Sequence, residues 1–528
     1  MLSTSTARPV LALTTSSRLT PGDLARAAGV VELAIDDDVL ARVAACHAFA
    51  GDVIAAGKPV YGSTTGFGPL VAYSGRAAAA DQCDNALSHL TTGHGPELDP
   101  ALVRATVLAR LWSLTRGRSG ISPSVVTALA QLLRTSFAPA VPRLGSVGAS
   151  GDLVPLAHLV QALRGNGSAY VHGIRMPASD ALQAAGLEAL VLTGRDALGL
   201  VNGTSLTAAA AGLALVALRR AHHIALVLSA VMADLLGCDP VYLDEDLLDV
   251  YGHAPAAEAA RQLRLLLHGM TPSGTRALQE PYSIRCVPQL VGAAGAVLAQ
   301  ATDVITADLN GVNDNPLFFA EHGKVVHGGN FFGQPVAFAA DQLTMVAVQL
   351  GNLAERQLDL MVDPQRNGGL PPMLSTSPGQ QHGVQGVQLV ATATVADMRR
   401  TSTPASVQSI PTNLHNQDVV PFGTQAALNA VDQARSLRWL HGALALSLRQ
   451  AVHVSTRRPT APACAAIIDE LAATIPPIDP DRPLQDDIHR AAEVLDHAEL
   501  SGQPRTLTWS LTQSSNWLNT SHEHSQPE

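Results

Sequence analysis

Aromatic residues, cysteines and clustered positive charge are all scarce in this 528-residue chain. Phe, Trp and Tyr together make up 4% of it. That is too little for an aromatic-rich β-sandwich, and with Ala, Leu and Val dominant it favours long, closely packed helices. The five cysteines (Cys46, Cys83, Cys238, Cys286, Cys464) are scattered and form no CxxC pair. They support neither a zinc knuckle nor a disulfide framework, and read as reduced thiols in a cytoplasmic protein. The formal net charge is −10 and no Lys/Arg run offers a stripe for tracking phosphates, which argues against a nucleic-acid partner. Residues 1–18 lack a basic segment leading into an apolar run, so they do not read as a signal peptide. The apolar stretch 205–218 stops at Arg219 and Arg220, and 290–301 is interrupted by Gln300. Both read as too short for a membrane span.

What is present organises the chain. Its length predicts roughly two to four domain-sized units, with enough chain to bury a large core and a dry site. Residues 1–20 read as a loose Ser/Thr-rich leader, 21–203 as an N-terminal domain, and 204–528 as a long-helix bundle with C-terminal helices. Within the first domain, 23–57, 77–90, 101–115 and 153–164 have helical spacing, and 169–176 is strand-like. From residue 203 onward, long Ala/Leu/Val helices are predicted near 204–235, 284–309, 335–363, 384–400 and 423–453. The Pro-rich piece 476–483 reads as a linker before a last helix, and the polar tail 521–528 as frayed. The fold class is therefore mostly α, with the chemistry at helix ends.

Short polar connections carry the candidate chemistry. Residues 144–152 (LGSVGASGD) are small enough for backbone angles closed to larger side chains. That freedom lets the Gly151 nitrogen attack the Ala149 carbonyl, and loss of water, including the Ser150 hydroxyl, leaves an exocyclic methylidene electrophile. The plainer alternative is a helix entry capped near Asp152. Tyr61 opens YGSTTGFGPL, either a buried tyrosine in a Gly-rich turn or an acid–base tyrosine on a mobile lid. No Gly-Lys-Ser/Thr follows, so it is not a phosphate loop. Residues 199–205 (GLVNGTS) place the Asn202 amide before a helix. Residues 279–285 (QEPYSIR) set Tyr282 and Arg285 three apart, and Arg285 offers the fork that matches a carboxylate. A cap for Asn202 and a surface ion pair for Arg285 are the ordinary alternatives. The amide-rich pieces 310–316 (NGVNDNP), 327–334 (HGGNFFGQ) and 415–420 (HNQDVV) follow; turn chemistry explains some of them, but buried amides need partners.

In this order, these motifs resemble the ammonia-lyase and aminomutase family that carries the methylidene-imidazolone (MIO) prosthetic group, over about residues 61–483. No single motif is specific, but together they are. The resemblance implies a histidine ammonia-lyase-like, mostly α fold and a homotetramer whose sites combine three chains. It implies MIO, 4-methylidene-imidazole-5-one, formed autocatalytically from Ala149, Ser150 and Gly151, with no metal or diffusible cofactor. Tyr61 is then the base for the β-proton, its phenol pKa lowered by nearby dipoles. Arg285 is the carboxylate clamp, and Tyr282 supports the electrophile and proton traffic. Asn202, Asn315 and Gln279 match polar wall residues, and Phe331 an aromatic packed near the prosthetic group.

Substrate choice rests on fewer positions. In the family that the chain resembles, a pair on the helix before the Gly-x-Gly turn reads the substrate ring, and histidine enzymes resemble Ser-His there, phenylalanine enzymes Phe-Leu and tyrosine enzymes His-Leu; here the pair is counted back from Gly93. This chain has His89-Leu90, and an imidazole can hydrogen-bond a phenolic hydroxyl. A satisfied core histidine is the plainer reading of His89. Asn416-Gln417 agrees with a neutral aromatic ring, where the histidine enzymes resemble Gln-Glu. The expected reaction is L-tyrosine to 4-coumarate and ammonia. Alternatives are a tyrosine aminomutase giving β-tyrosine, and a lyase acting on phenylalanine or a substituted tyrosine. His94, Asp308, Phe332, Gln334 and Pro421-Phe422 depart from the family pattern and bear on the ring pocket.

Overall fold

The computed structural model describes residues 10–498, and within them the protein is mostly α-helical. Its centre is the Ser205–Leu236 helix, apolar on every side through its first three turns, with every residue from Ser205 to Leu215 buried. A helix without a polar face belongs inside a core. This one is ringed by Pro21–Ala27, Pro100–Thr115, Val287–Asn310, Gln334–Val362 and Gly423–Val454. Gly212 is one reason for the fit: a β-carbon there would lie 2.5 Å from Leu24 Cδ1. The Gln385–Arg400 helix packs outside this group against Gln334–Val362 and Gly423–Val454. All five long helices thus appear close to where hydrophobic periodicity puts them.

Two of these helices correct an expectation. Ser205–Leu236 and Val287–Asn310 are long and apolar enough to cross a membrane, with mean hydropathy of 1.4 and 1.5. The sequence stretches looked too short because charged or polar residues interrupt them, but the helices continue through those residues. For Ser205–Leu236, 72% of the apolar window is buried inside the protein, as for a core helix; for Val287–Asn310 the share is 33%.

The N-terminal region differs more. Part of the expected loose leader, Val10–Leu13, is a strand paired in parallel with Glu32–Ile35; residues 1–9 lie outside the described residues, as do those beyond 498 and with them the tail at 521–528. The helix expected over 23–57 is two helices, Pro21–Ala27 and Asp37–Ala55, with that second strand between them. Val31 and Leu33 are fully buried in alternation, a period-two pattern that a helical reading averages away. The strand-like piece near 169–176 is a hairpin, Ser168–Val171 with Ile174–Pro177. It turns on His172 and Gly173, both at positive φ, as a two-residue hairpin turn requires. Helices Pro123–Leu133, Ala254–Leu266 and Pro462–Thr474 escaped the periodicity, yet each has proline in its first turn, a usable start signal. The Pro-rich linker does lead into a last helix, Gln485–His497. The expected boundary at 203 marks the start of the core helix, and one apolar core runs across it from Leu11 to Ala498.

Candidate active site

Four helices begin around the loop at 144–152. Asp152 is the N-cap of Leu153–Leu163, and its N–H donates to Gly203 O at 2.7 Å, just before Ser205–Leu236. Gly333 N–H, at the start of Gln334–Val362, reaches Gly148 O at 3.4 Å, and Phe422 N–H, before Gly423–Val454, reaches Val147 O at 3.1 Å. Helix N-termini present unpaired N–H groups and partial positive charge, so their convergence favours developing negative charge here.

The loop's shape depends on glycine where backbone meets backbone. Gly151 has φ of 71°, and a β-carbon on it would sit 2.2 Å from Gly203 O and 2.5 Å from Gly203 N. Residues 148–151 fold back on themselves, with bridges from Gly151 to both Gly148 and Ala149. Ser150 stands at the turn: its carbonyl accepts from Asn202 Nδ2 at 2.9 Å, and its hydroxyl from Gln417 Nε2 at 2.6 Å. Asn202 and Gln417 therefore meet on one serine, although they are more than two hundred residues apart.

Asp152 locks this loop to the bundle. Fully buried, its Oδ1 accepts from Ser146 Oγ at 2.9 Å, Thr207 Oγ1 at 2.8 Å and Thr424 Oγ1 at 2.7 Å, and its Oδ2 from Thr207 N–H at 2.9 Å. The sequence marked this residue only as a helix entry, and its side chain makes no cap bond; Ser146, Thr207 and Thr424 were missed, being ordinary residues joined by tertiary contact. Replacing Asp152 with alanine is expected to cost roughly 3 kcal/mol by stranding these donors, read as an earlier urea midpoint. A midpoint equal to the parent's would show that the carboxylate is not the anchor.

A second buried network supports the facing loop. Asp314 is fully buried, with Arg195 at 3.2 Å and Arg110 at 4.0 Å. Arg110 also reaches Asn313 Oδ1 at 3.2 Å and Gly199 O at 2.6 Å, while Asn313 Nδ2 donates to Thr204 Oγ1 at 2.6 Å. Burial draws both arginines below their usual pKa, against the pull of Asp314. Asp308 still reaches Thr204 Oγ1 at 2.8 Å. Burial, with Asp152 adding to it, pushes the Asp308 carboxyl up to about 6. Asn315, next to this network, accepts the Gly328 N–H at 2.8 Å, and the Tyr61 N–H donates to His327 Nε2 at 3.4 Å, so the loop carrying His327 and Phe331 lies beside Tyr61.

Tyr61 is half-buried. Its hydroxyl accepts the Gly68 N–H at 2.7 Å and its ring meets the edge of Phe67 at 6.4 Å. Phe67 in turn lies 5.5 Å from the His89 ring, so the Gly-rich loop, its tyrosine and the Ala79–Leu90 helix are in contact. The expected lowering of the Tyr61 pKa is not what this conformation gives: burial raises it, and the Gly68 N–H and Arg195 offset that only in part. His89 Nδ1 lies 2.7 Å from Asn85 O, so that nitrogen carries a proton and a neutral ring leaves Nε2 as an acceptor. Leu90 is half-buried against the core. Asn416 is exposed beside Gln417, and its segment touches the lid at residues 68–70. Among the departures, His94 is exposed on the strand His94–Glu97. Phe332 and Gln334 lie at the entry of a long helix, and Phe422 caps another at φ of 47°.

Three expected site residues are not brought to this loop within one chain. Gln279 is exposed and Tyr282 is 71% exposed, with the Arg285 guanidinium 4.8 Å from the Tyr282 ring centre. They stand at the start of Val287–Asn310, whereas Asn313 and Asn315 follow its end. Its 24 residues separate the two groups by about 36 Å.

The aromatic amino acid lyase family matches residues 19–473. Tyrosine ammonia-lyase of Cereibacter sphaeroides is 40% identical over 476 residues, 85% of this chain and 90% of that protein. Histidine ammonia-lyase of Symbiobacterium thermophilum is 36% identical over 470 residues, 88% of this chain and 92% of that one. The crystal structure of tyrosine aminomutase from Streptomyces globisporus matches with a TM-score of 0.86 at 31% identity, covering 92% of this chain and 96% of that one. From the loop at 144–152 to the lid at Tyr61, in sequence and in fold, this chain belongs to the aromatic amino acid lyase family.

Proposed function

We propose that the protein eliminates ammonia from L-tyrosine to give 4-coumarate at the loop of Ala149, Ser150 and Gly151, matured to MIO. The residues fit that group. Gly151 leaves no room for a side chain and is folded back against Ala149, as ring closure from the Gly151 nitrogen needs. MIO supplies an electrophile for the substrate amine, which makes that amine a better leaving group. Asn202 and Gln417 hold Ser150 in place, and the converging helix N-termini favour negative charge around it. Tyr61 takes the β-proton, with the Gly68 N–H and Arg195 stabilising its phenolate form. The Cβ–H and Cα–N bonds break and the Cα–Cβ double bond forms. No metal or diffusible cofactor enters this scheme. The scattered thiols, four of the five buried, support a cytoplasmic location.

Arg285, Tyr282 and Gln279 belong to the same site only if other copies supply them. We infer that the site is shared between copies, in the homotetramer that the family resemblance implies, Arg285 from one copy clamping the carboxylate bound at another's Ser150 loop.

The tyrosine reading is carried by His89, whose Nδ1 is committed to Asn85 O and whose Nε2 can accept a phenolic proton. It is tested by incubating the protein separately with L-tyrosine, L-phenylalanine and L-histidine and resolving the products by chromatography. Coumarate and free ammonia from tyrosine are expected. If none of the three is consumed, the substrate assignment fails. Likeness to a tyrosine aminomutase favours a second reading, in which ammonia is held and re-added at the β-carbon; accumulation of β-tyrosine would establish it. Replacing His89 with phenylalanine is expected to lower the tyrosine/phenylalanine ratio of kcat/KM about 100-fold or more. An unchanged ratio would remove His89 from ring recognition.

A further inference from the structure

One side chain outside the motifs ties the ring-reading helix to the loop at 144–152. The Ala79–Leu90 helix, which carries His89, ends in a tight exit. Thr91 N–H and Oγ1 both donate to Leu87 O, at 3.0 and 2.6 Å, and Thr92 N–H to Leu90 O at 2.9 Å. The next donor, Gly93 N–H, points away from the helix and meets His158 Nε2 at 2.9 Å. His158 lies on Leu153–Leu163, the helix that begins directly after Asp152. A β-carbon at Gly93 would sit 2.9 Å from that Nε2 and 3.2 Å from Pro142 Cβ, and one at Gly145 would come 3.6 Å from Gly93 Cα. The turn behind His89 is therefore seated against both the start of the loop and the helix that follows it.

We propose that His158 is a specificity-positioning residue: by accepting the Gly93 N–H it sets the distance between His89 and the Ser150 loop, and with it the preference for a hydroxylated ring. This rests on the reading of His89 as the ring-end partner of the substrate. The acceptor must be the unprotonated Nε2, and burial keeps His158 below the usual histidine pKa, so the bond is available at neutral pH. A tyrosine bound with its amine at Ser150 and its hydroxyl at His89 spans from the loop before Leu153–Leu163 to the end of Ala79–Leu90, which are joined here. A hydrogen bond weakens steeply with distance and angle, whereas a phenylalanine ring in the same place has no such bond to lose. A shift of the turn therefore penalises tyrosine selectively.

The test is kcat/KM for tyrosine, phenylalanine and histidine in the full-length protein and in His158→Leu, His158→Met and His158→Gln, with intact mass as a check on the loop. The leucine and methionine variants fill the space without an acceptor, and either serves if the other does not fold. They are expected to lower the tyrosine/phenylalanine ratio about tenfold, mainly through KM for tyrosine, with the same shortfall from sequence mass as the parent. His158→Gln, whose Oε1 can accept the same N–H, is expected to recover most of the ratio. An apolar variant that keeps the parent ratio, or loses both substrates equally, overturns the proposal, as does a glutamine variant no better than leucine. If the parent prefers phenylalanine or histidine to tyrosine, the tyrosine reading fails separately. His158 is then still decided by how its variants change the tyrosine/phenylalanine ratio, by the same criteria.

Discussion

A chain with Ser150 replaced by alanine is expected to lose ammonia release by roughly a thousandfold or more while folding as the parent does. The physical basis is that the hydroxyl is needed for maturation and little needed for structure. Its one hydrogen bond, from Gln417 Nε2, is partly exposed and contributes about 1 kcal/mol. The Asn202 contact is to the backbone carbonyl and survives the change. Intact mass separates the two roles: the parent is expected to fall short of its sequence mass by two waters, and the variant to show no such deficit. Activity retained in the variant, or a parent of full sequence mass, would remove the electrophile from the mechanism.

The second large effect is rescue between two inactive chains. Arg285→Ala alone is expected to lower kcat/KM roughly a hundredfold or more, because the carboxylate is no longer oriented, and Ser150→Ala alone is inactive. Co-expressed, the two are expected to regain up to about a quarter of parental activity, the share of sites that combine an intact loop from one chain with an intact Arg285 from another. The reason is the length of Val287–Asn310: Arg285 precedes it, and the Asn315 loop that faces Tyr61 follows it. Unless a second copy lies alongside, no substrate can touch both. Mixed chains no more active than the separate ones would show that the carboxylate is held by residues of the same chain.

Neither prediction depends on an unusual stretch of sequence, and the same holds for much of the site. GASGD, GLVNGTS and HNQDVV identify the loop, Asn202 and Gln417 as residue types, and the structure places both amides on the loop's Ser150. The sequence also marked His89, through its spacing from Gly93. Asp152 was legible only as a helix cap, because nothing local announces that Thr207 and Thr424 will donate to it. Arg195, Arg110 and His158 gave no signal, since each acts on a segment dozens of residues away or more. Tyr61 was marked by its glycine-rich loop, but burial raises its pKa where a lowering was expected: helix dipoles and glycine-rich backbone can be inferred from a sequence, whereas the desolvation that outweighs them depends on what finally covers the ring.

By itself, the sequence determined the long helices, the small-residue loop and the identity of the chemical groups. Those depend on hydrophobic period and on local backbone freedom, both properties of neighbouring residues. Tertiary structure alone decided that Val10–Leu13 is a strand, that Gly151 lies against Gly203, that Asp152 is the anchor, and that Arg285 stands a helix length away from the loop it is expected to serve. Each is a contact or separation between distant parts of the chain, set by how the helices fill the core around Ser205–Leu236 and not by any pattern within one of them.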